Sequence, residues 1–189
     1  MSDINAVLDR IEIRLAGEGG QGMILAGIIL AEAAAIYDGK NAVQSQSYGP
    51  EARGGASKSE VIIAAGEIDF PEVIIADVLI ALSQEAYDKY VRNLKEGGLL
   101  IVDGDQVPNI SSEKALRLPI TRLAKETTGR AITANTVALG ALVEMTGVVS
   151  KEAIAKAVAA RAPKGTQEIN QAALEAGFSA AQGIKNNRN

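Results

Sequence analysis

Among 189 residues there is no cysteine and no histidine. Without cysteine the chain has no thiolate for an iron–sulfur cluster or a zinc site, and it cannot form a disulfide. Without histidine it lacks the commonest general base near neutral pH and the commonest metal ligand. Catalysis by this chain alone would rest on Asp, Glu, Lys, Tyr or Ser acting without imidazole, so no residue is assigned a catalytic role and no metal site is expected. Tryptophan is absent too and aromatics make up only 3%, which leaves Ala, Ile, Leu and Val to build the core. The net charge of −4 and the lack of a dense Lys/Arg stripe argue against a nucleic acid partner. Long apolar runs are also missing. The stretches 73–82, broken by Asp77, and 131–143 are too short to span a bilayer. The start Met1-Ser2-Asp3-Ile4-Asn5 has neither the cationic head nor the apolar run of a signal peptide, so a cytoplasmic protein without a membrane partner is expected.

What is present is an ordinary hydrophobic fraction of 47% and an alternation of strand-like and helix-like patterns. Ile11, Ile13 and Leu15 alternate with Glu12 and Arg14, a strand over 12–16. Residues 21–37 read as a helix that is apolar nearly all round and therefore buried on several sides. Asp38-Gly39-Lys40-Asn41 is turn chemistry before a short strand at 42–47. Strands follow at 57–65, 76–82 and 99–102, with a helix at 84–94 whose N-cap is Ser83 and whose first turn carries Glu85. A strand at 115–119 leads to helices at 122–128, 135–146, 150–162 and 166–182. Strands alternating with helices at this spacing predict an α/β, three-layer αβα domain with a largely parallel, Rossmann-like sheet. One domain over 1–189 is expected, helical from about residue 135.

The most informative segment joins the first strand to the first helix: Gly17-Glu18-Gly19-Gly20-Gln21-Gly22. Glycines there let the backbone turn sharply and leave amide N–H groups uncovered at a helix N-terminus, a geometry that suits a phosphate. In one reading the glycines only make a tight strand-to-helix turn. In another, Gly17-x-Gly19-x-x-Gly22 is a dinucleotide fingerprint of a stand-alone NAD or FAD module. That function wants an acid at the end of the second strand, where Gln44-Ser45-Gln46-Ser47-Tyr48 supplies none. Asp38 falls in the turn before the strand. Glu18 intrudes as well, since a carboxylate about 4 Å from a phosphate costs on the order of 1 kcal/mol in water. A P-loop is excluded, because no Gly-Lys-Ser/Thr follows the glycines. The third reading takes two loops together. Residues 48–55 (YGPEARGG) follow the second strand, and in a parallel sheet both loops reach the same edge. Arg53 beside Gly54 and Gly55 offers a guanidinium next to bare backbone that can grip a phosphate, unless it only makes a surface salt bridge.

GEGGQGMILAGIILAEAA (17–34) with QSQSYGPEARGGASKSEVIIA (44–64) resembles the gamma subunit of 2-oxoacid:ferredoxin oxidoreductases, the coenzyme A-acylating enzymes. NTVALGALVEMTG (135–147) and APKGTQEINQAALEAGF (162–178) extend the resemblance over nearly the whole chain, and YGPEARGGASKSEV looks most like the 2-oxoglutarate type. The resemblance implies a non-catalytic subunit of a hetero-oligomer with alpha, beta and, where present, delta subunits, and with ferredoxin as an indirect partner. It implies oxidative decarboxylation of a 2-oxoacid by the complex, with thiamine diphosphate and iron–sulfur clusters on partner subunits. It also implies that Gly17, Gly19, Gly20, Gln21 and Gly22, with Arg53, Gly54 and Gly55, contribute to a coenzyme A site. Some relatives place lysines in the second loop, whereas this chain has Glu51 and Ala52 beside its single cation, Arg53. A purely structural assembly subunit, whose loops touch only protein, is the remaining alternative.

Overall fold

The computed structural model describes residues 10–46, 56–111 and 114–187. Six strands form one sheet: β1 (Arg10–Glu18), β2 (Asn41–Gln46), β3 (Ala56–Ala64), β4 (Ala76–Ala81), β5 (Leu94–Asp103) and β6 (Leu116–Leu118). Their spatial order is β2-β3-β1-β4-β5-β6. Pairings β1–β4, β4–β5 and β5–β6 are parallel, whereas β3 runs antiparallel to both of its neighbours, β1 and β2. The reversal has a simple cause. The connection 47–55 is shorter than the roughly dozen residues that a parallel crossover needs, so β2 and β3 can only pair as a hairpin. Because β3 alone is reversed, β1 and β2 still point the same way and end at the same edge.

Helices α1 (Met23–Glu32, continued by a π turn at Ala33–Tyr37), α3 (Ile120–Thr128), α4 (Ala134–Thr146), α5 (Lys151–Arg161) and α6 (Gln167–Asn187) gather on one face of the sheet. There Ile11, Ile13 and Leu15 of β1 meet Val61, Ile80 and Ile101 in one apolar cluster with Leu139, Leu142 and Leu174 of the helices. The other face is thinner. It is covered by α2 (Gln84–Tyr90), whose Tyr87 and Tyr90 pack on Ala16, Leu79, Ala81 and Val102, together with Val107 and Ala115 from the connection to β6. Strand β4 is sealed on both faces, which accounts for its near-continuous apolar run. Beyond β6 the described chain holds only helices and their connections.

Local chemistry sets most boundaries. Ser83 caps α2 by accepting the Ala86 N–H at 3.2 Å, and Ser150 caps α5 by accepting that of Ala153 at 3.1 Å. The helix expected over 84–94 stops sooner than the pattern implies. After Tyr90 a 3₁₀ turn (Val91–Asn93) leads directly into β5, whose register with β4 shifts between Ala76 and Val78 to accommodate Gly97 and Gly98. Helices α4 and α6 cross with backbones in direct contact. A Cβ on Gly140 would fall on the Leu174 carbonyl oxygen, and one on Gly177 on that of Val137, so only glycine allows this crossing.

Candidate functional site

Strand β1 ends at Glu18, and Gly19, Gly20, Gln21 and Gly22 carry the chain to α1. The turn is closed by the Gln21 N–H donating to the Glu18 carbonyl at 3.2 Å. The Gln21 side chain then fixes its shape. Its Oε1 accepts the Glu18 N–H at 2.7 Å, and its Nε2 donates to the Leu82 carbonyl at 3.2 Å, so one carboxamide ties the end of β1 to the end of β4. Gly17 is buried beneath this clasp, where a Cβ would collide with Gln21 Oε1. Glu18, Gly19 and Gly20 are exposed, and Gly20, at φ 93°, has nothing within 4 Å of where a Cβ would stand. The outer side of the loop is therefore open backbone.

Gly22 is the N-cap of α1 at φ 73°, ψ 21°, and no side chain caps the helix. Its carbonyl accepts the Ala26 N–H at 2.9 Å and Asn135 Nδ2 at 3.3 Å. The first-turn N–H groups that follow it have no intrahelical partner and form the positive end of the helix dipole. No acidic residue occupies that turn. Asn135, 5% exposed at the start of α4, is the main residue that sequence reasoning missed as a contributor here. A Cβ on Gly22 would stand 2.6 Å from its Nδ2. Its Oδ1 accepts the Thr136 N–H at 2.8 Å, and the Thr136 hydroxyl lies 3.2 Å from Asn170 Oδ1, which carries the polar chain to the start of α6. In sequence Asn135 stood only as the first residue of the NTVALGALVEMTG stretch (135–147) that extends the resemblance.

Arg53, Gly54 and Gly55 lie outside the described residues, but the ends of their loop do not. Ala56 stands opposite Glu18 in the β1–β3 ladder, and Gln46 opposite Ser59 in the β2–β3 ladder, so the segment 47–55 leaves and rejoins the sheet at the edge occupied by the glycine loop. Two contacts clip the start of β3 there. The Ser57 hydroxyl donates to the Gly17 carbonyl at 3.2 Å, and the Ala56 N–H donates to Glu85 Oε1 at 3.3 Å. Glu85 thus serves the strand edge as well as the dipole of α2.

Beneath this edge, on the α2 face, a buried ion cluster joins β1 to β3. Arg14 donates through Nε at 2.7 Å and lies 2.6 Å through its terminal nitrogen from Glu60 Oε1, which also receives Lys58 Nζ at 3.0 Å. The Arg14 guanidinium sits 5.5 Å from the centre of the Tyr90 ring. Lys156 holds the Glu152 carboxyl below its ordinary range by a hydrogen bond and by its charge, and is itself raised; Asp77 raises Lys95 in the same way. Asp38, in the turn before β2, accepts the N–H and the hydroxyl of Ser150, each at 2.7 Å, at the start of α5. It belongs to the helical layer and not to the loop edge. A separate groove of about 770 Å³ between α2 and the connection to β6, lined by Tyr87, Arg92, Asn109 and Ser111 among others, does not include the glycine loop. No described helix is long and apolar enough to cross a membrane.

A family model described as pyruvate ferredoxin/flavodoxin oxidoreductase matches residues 12–180. The chain is 54% identical over 177 residues to the 2-oxoglutarate synthase subunit KorC of Methanocaldococcus jannaschii, covering 92% of this chain and 95% of that protein. Its fold matches the crystal structure of the keto/oxoacid ferredoxin oxidoreductase gamma subunit of Geobacter sulfurreducens with a TM-score of 0.82 at 56% identity, over 92% of this chain and 99% of that one. It also matches the 2-oxoglutarate:ferredoxin oxidoreductase of Magnetococcus marinus, solved with 2-oxoglutarate, coenzyme A and succinyl-CoA bound, with a TM-score of 0.81 at 26% identity. That match covers 93% of this chain but 31% of the longer chain.

Proposed function

The chain belongs to the pyruvate ferredoxin/flavodoxin oxidoreductase family, and on that premise we propose that it is the gamma subunit of a 2-oxoglutarate:ferredoxin oxidoreductase and forms part of the coenzyme A site. The complex cleaves the bond between the keto carbon and the carboxylate of 2-oxoglutarate, releases CO₂ and transfers the succinyl group to the thiol of coenzyme A. Two electrons leave for ferredoxin and the thiol proton is released. Thiamine diphosphate supplies the carbanion chemistry, and iron–sulfur clusters carry the electrons. Both belong to partner subunits in this reading: the family resemblance implies it for thiamine diphosphate, and for the clusters the absence of cysteine agrees with it.

The observation that carries the coenzyme A role is the register that sets Ala56 opposite Glu18. It brings both ends of the Arg53 loop to the edge where the glycine loop exposes bare backbone. In this reading the amides of Gly19, Gly20 and the uncapped first turn of α1 receive phosphate oxygens. Arg53, with Gly54 and Gly55 beside it, contributes the compensating charge. Gln21 and Asn135 act by holding the loop in shape. Glu18 stands at the same edge with the opposite sign, which favours a site completed by cations of another subunit. The role is positioning coenzyme A for acyl transfer, with no bond made or broken by this chain.

The test is the complex assembled from all its subunits. Ferredoxin reduction is expected to require both 2-oxoglutarate and coenzyme A, and to fall when other 2-oxoacids replace 2-oxoglutarate. A complex that reduces ferredoxin equally well without this chain would refute the reading.

A further inference from the structure

Residues 65–75 connect β3 to β4 without helix or strand, yet two arginines of β1 hold them in place. Arg10 donates to the Phe70 carbonyl at 2.8 Å, and Arg14 donates to the Val73 carbonyl at 2.6 Å. Val73 is the inward anchor, packed with Ile62, Ala76 and Ile68. The residues around it point the other way: Phe70 is 50% exposed, Ile74 62% and Ile75 55%. A run of Val-Ile-Ile-Ala that buries its ends and exposes both isoleucines is not what solvation alone would select. With Glu12 and Glu72 these three side chains line a groove of about 350 Å³ at the edge of the sheet opposite the glycine loop.

The charged residues that line the groove are Glu12 and Glu72. Arg10 is paired with Glu12 at 2.9 Å, and Lys95 with Asp77 at 3.0 Å. Glu67, Asp69 and Glu72 are exposed and in no ion pair among the described residues. An apolar centre with an acidic rim fits a partner segment that presents apolar side chains flanked by Lys or Arg. The comparisons indicate which polypeptide that is. In the Magnetococcus marinus enzyme this fold is 31% of a longer chain, whereas it makes up 99% of the Geobacter sulfurreducens gamma subunit and 95% of the Methanocaldococcus jannaschii KorC subunit. Packing that the longer chain makes within itself must become a contact between two polypeptides.

We propose that Phe70, Ile74 and Ile75, with Glu72 and Glu12 beside them in the groove, dock the subunit corresponding to the remainder of that longer chain. The proposal rests on the reading of this chain as a subunit of such a complex. Because Arg10 and Arg14 fix the backbone beforehand, docking orders little further chain, and the affinity lost to ordering is small.

The experiment compares assembly of the full-length chain and of Ile74→Ser/Ile75→Ser with the remaining subunits, by sedimentation at several salt concentrations. Both substituted side chains are already more than half exposed, so the isolated variant should melt as the parent does. Expected is binding at least about tenfold weaker for the variant, a loss of about 1.4 kcal/mol, and parent affinity that falls as salt rises. Should the double variant misfold, Glu72→Lys takes its place, with weaker binding expected. Unchanged affinity for a folded variant would overturn the docking surface while leaving the subunit reading intact. Failure of the parent itself to assemble would overturn both. A parent that dimerises alone, with only that dimer lost in the variant, would assign the groove to a second copy of this chain and overturn the proposal.

Discussion

Replacing Gly22 by alanine should damage the chain for two separable reasons. The residue caps α1 at φ 73°, where a side chain costs about 1–2 kcal/mol. A Cβ there would also stand 2.6 Å from Asn135 Nδ2, in a place where Asn135 is 5% exposed and donates to the Gly22 carbonyl. Displacing that amide strands a buried donor, which costs a further 1–3 kcal/mol or so. The expected total of about 3 kcal/mol corresponds to a fall of roughly 10 °C in Tm for a chain of this size. Gly20→Ala is the internal control. Its φ of 93° also disfavours a side chain, but nothing lies within 4 Å, so only about 1–2 kcal/mol is expected. The assay is urea unfolding of Gly22→Ala, Asn135→Ala and the double variant. Coupling between the two sites should be about 1–2 kcal/mol, because with Asn135 shortened the new methyl group has room. If Gly22→Ala costs no more than Gly20→Ala, or if the two changes simply add, the packing of α4 against the loop is not what fixes the loop.

Two further outcomes follow from the ion pairs. Arg14→Met should destabilise the chain by about 3 kcal/mol in urea unfolding, near the lower end for breaking a buried pair, because Lys58 still faces Glu60. A neutral effect would mean that the cluster contributes nothing to joining β1 and β3. The Glu152 carboxyl is held below its ordinary range by Lys156, so its folded pKa lies below its unfolded one. The pair's contribution is therefore complete above the unfolded carboxylate pKa and lost as pH falls through the folded value. Lys156→Gln should return Glu152 to its ordinary range in an NMR titration, and an unmoved titration would contradict the assignment. Because both side chains are exposed, little stability is at stake.

The parts of this fold that sequence revealed are those encoded locally. Alternation placed β1, Val and Ile content placed β3, Ser83 and Ser150 announced α2 and α5, and the glycines marked the turn from β1 into α1. The reversed direction of β3 is not among the expectations, although it follows from the length of one connection. The shape of the site is not local. Asn135 reaches Gly22 across 113 positions of sequence, Glu85 reaches Ala56 across 29, and Gln21 reaches Leu82 across 61. No periodicity encodes such contacts, because each depends on which strand ends the sheet order makes neighbours. Gln21 illustrates the consequence: its place in a glycine loop suggests a ligand contact, while its carboxamide is spent holding two strands together. The docking groove was hidden for a different reason. Val73, Ile74, Ile75 and Ala76 read as one apolar run, and only the backbone reveals that the two middle residues face outward.

The central claim is that the edge formed by the glycine loop and the Arg53 loop receives coenzyme A. It is tested most directly by titrating coenzyme A against the assembled complex, with ferredoxin reduction as the readout and 2-oxoglutarate saturating. Losing one charge-assisted contact to a phosphate is worth about 1.5–3 kcal/mol, so Arg53→Ala should raise KM for coenzyme A by roughly tenfold or more. The kcat and the KM for 2-oxoglutarate should stay near those of the parent complex, because a binding contact common to ground and transition states changes KM alone. An unchanged KM for coenzyme A in a fully assembled complex would contradict the account.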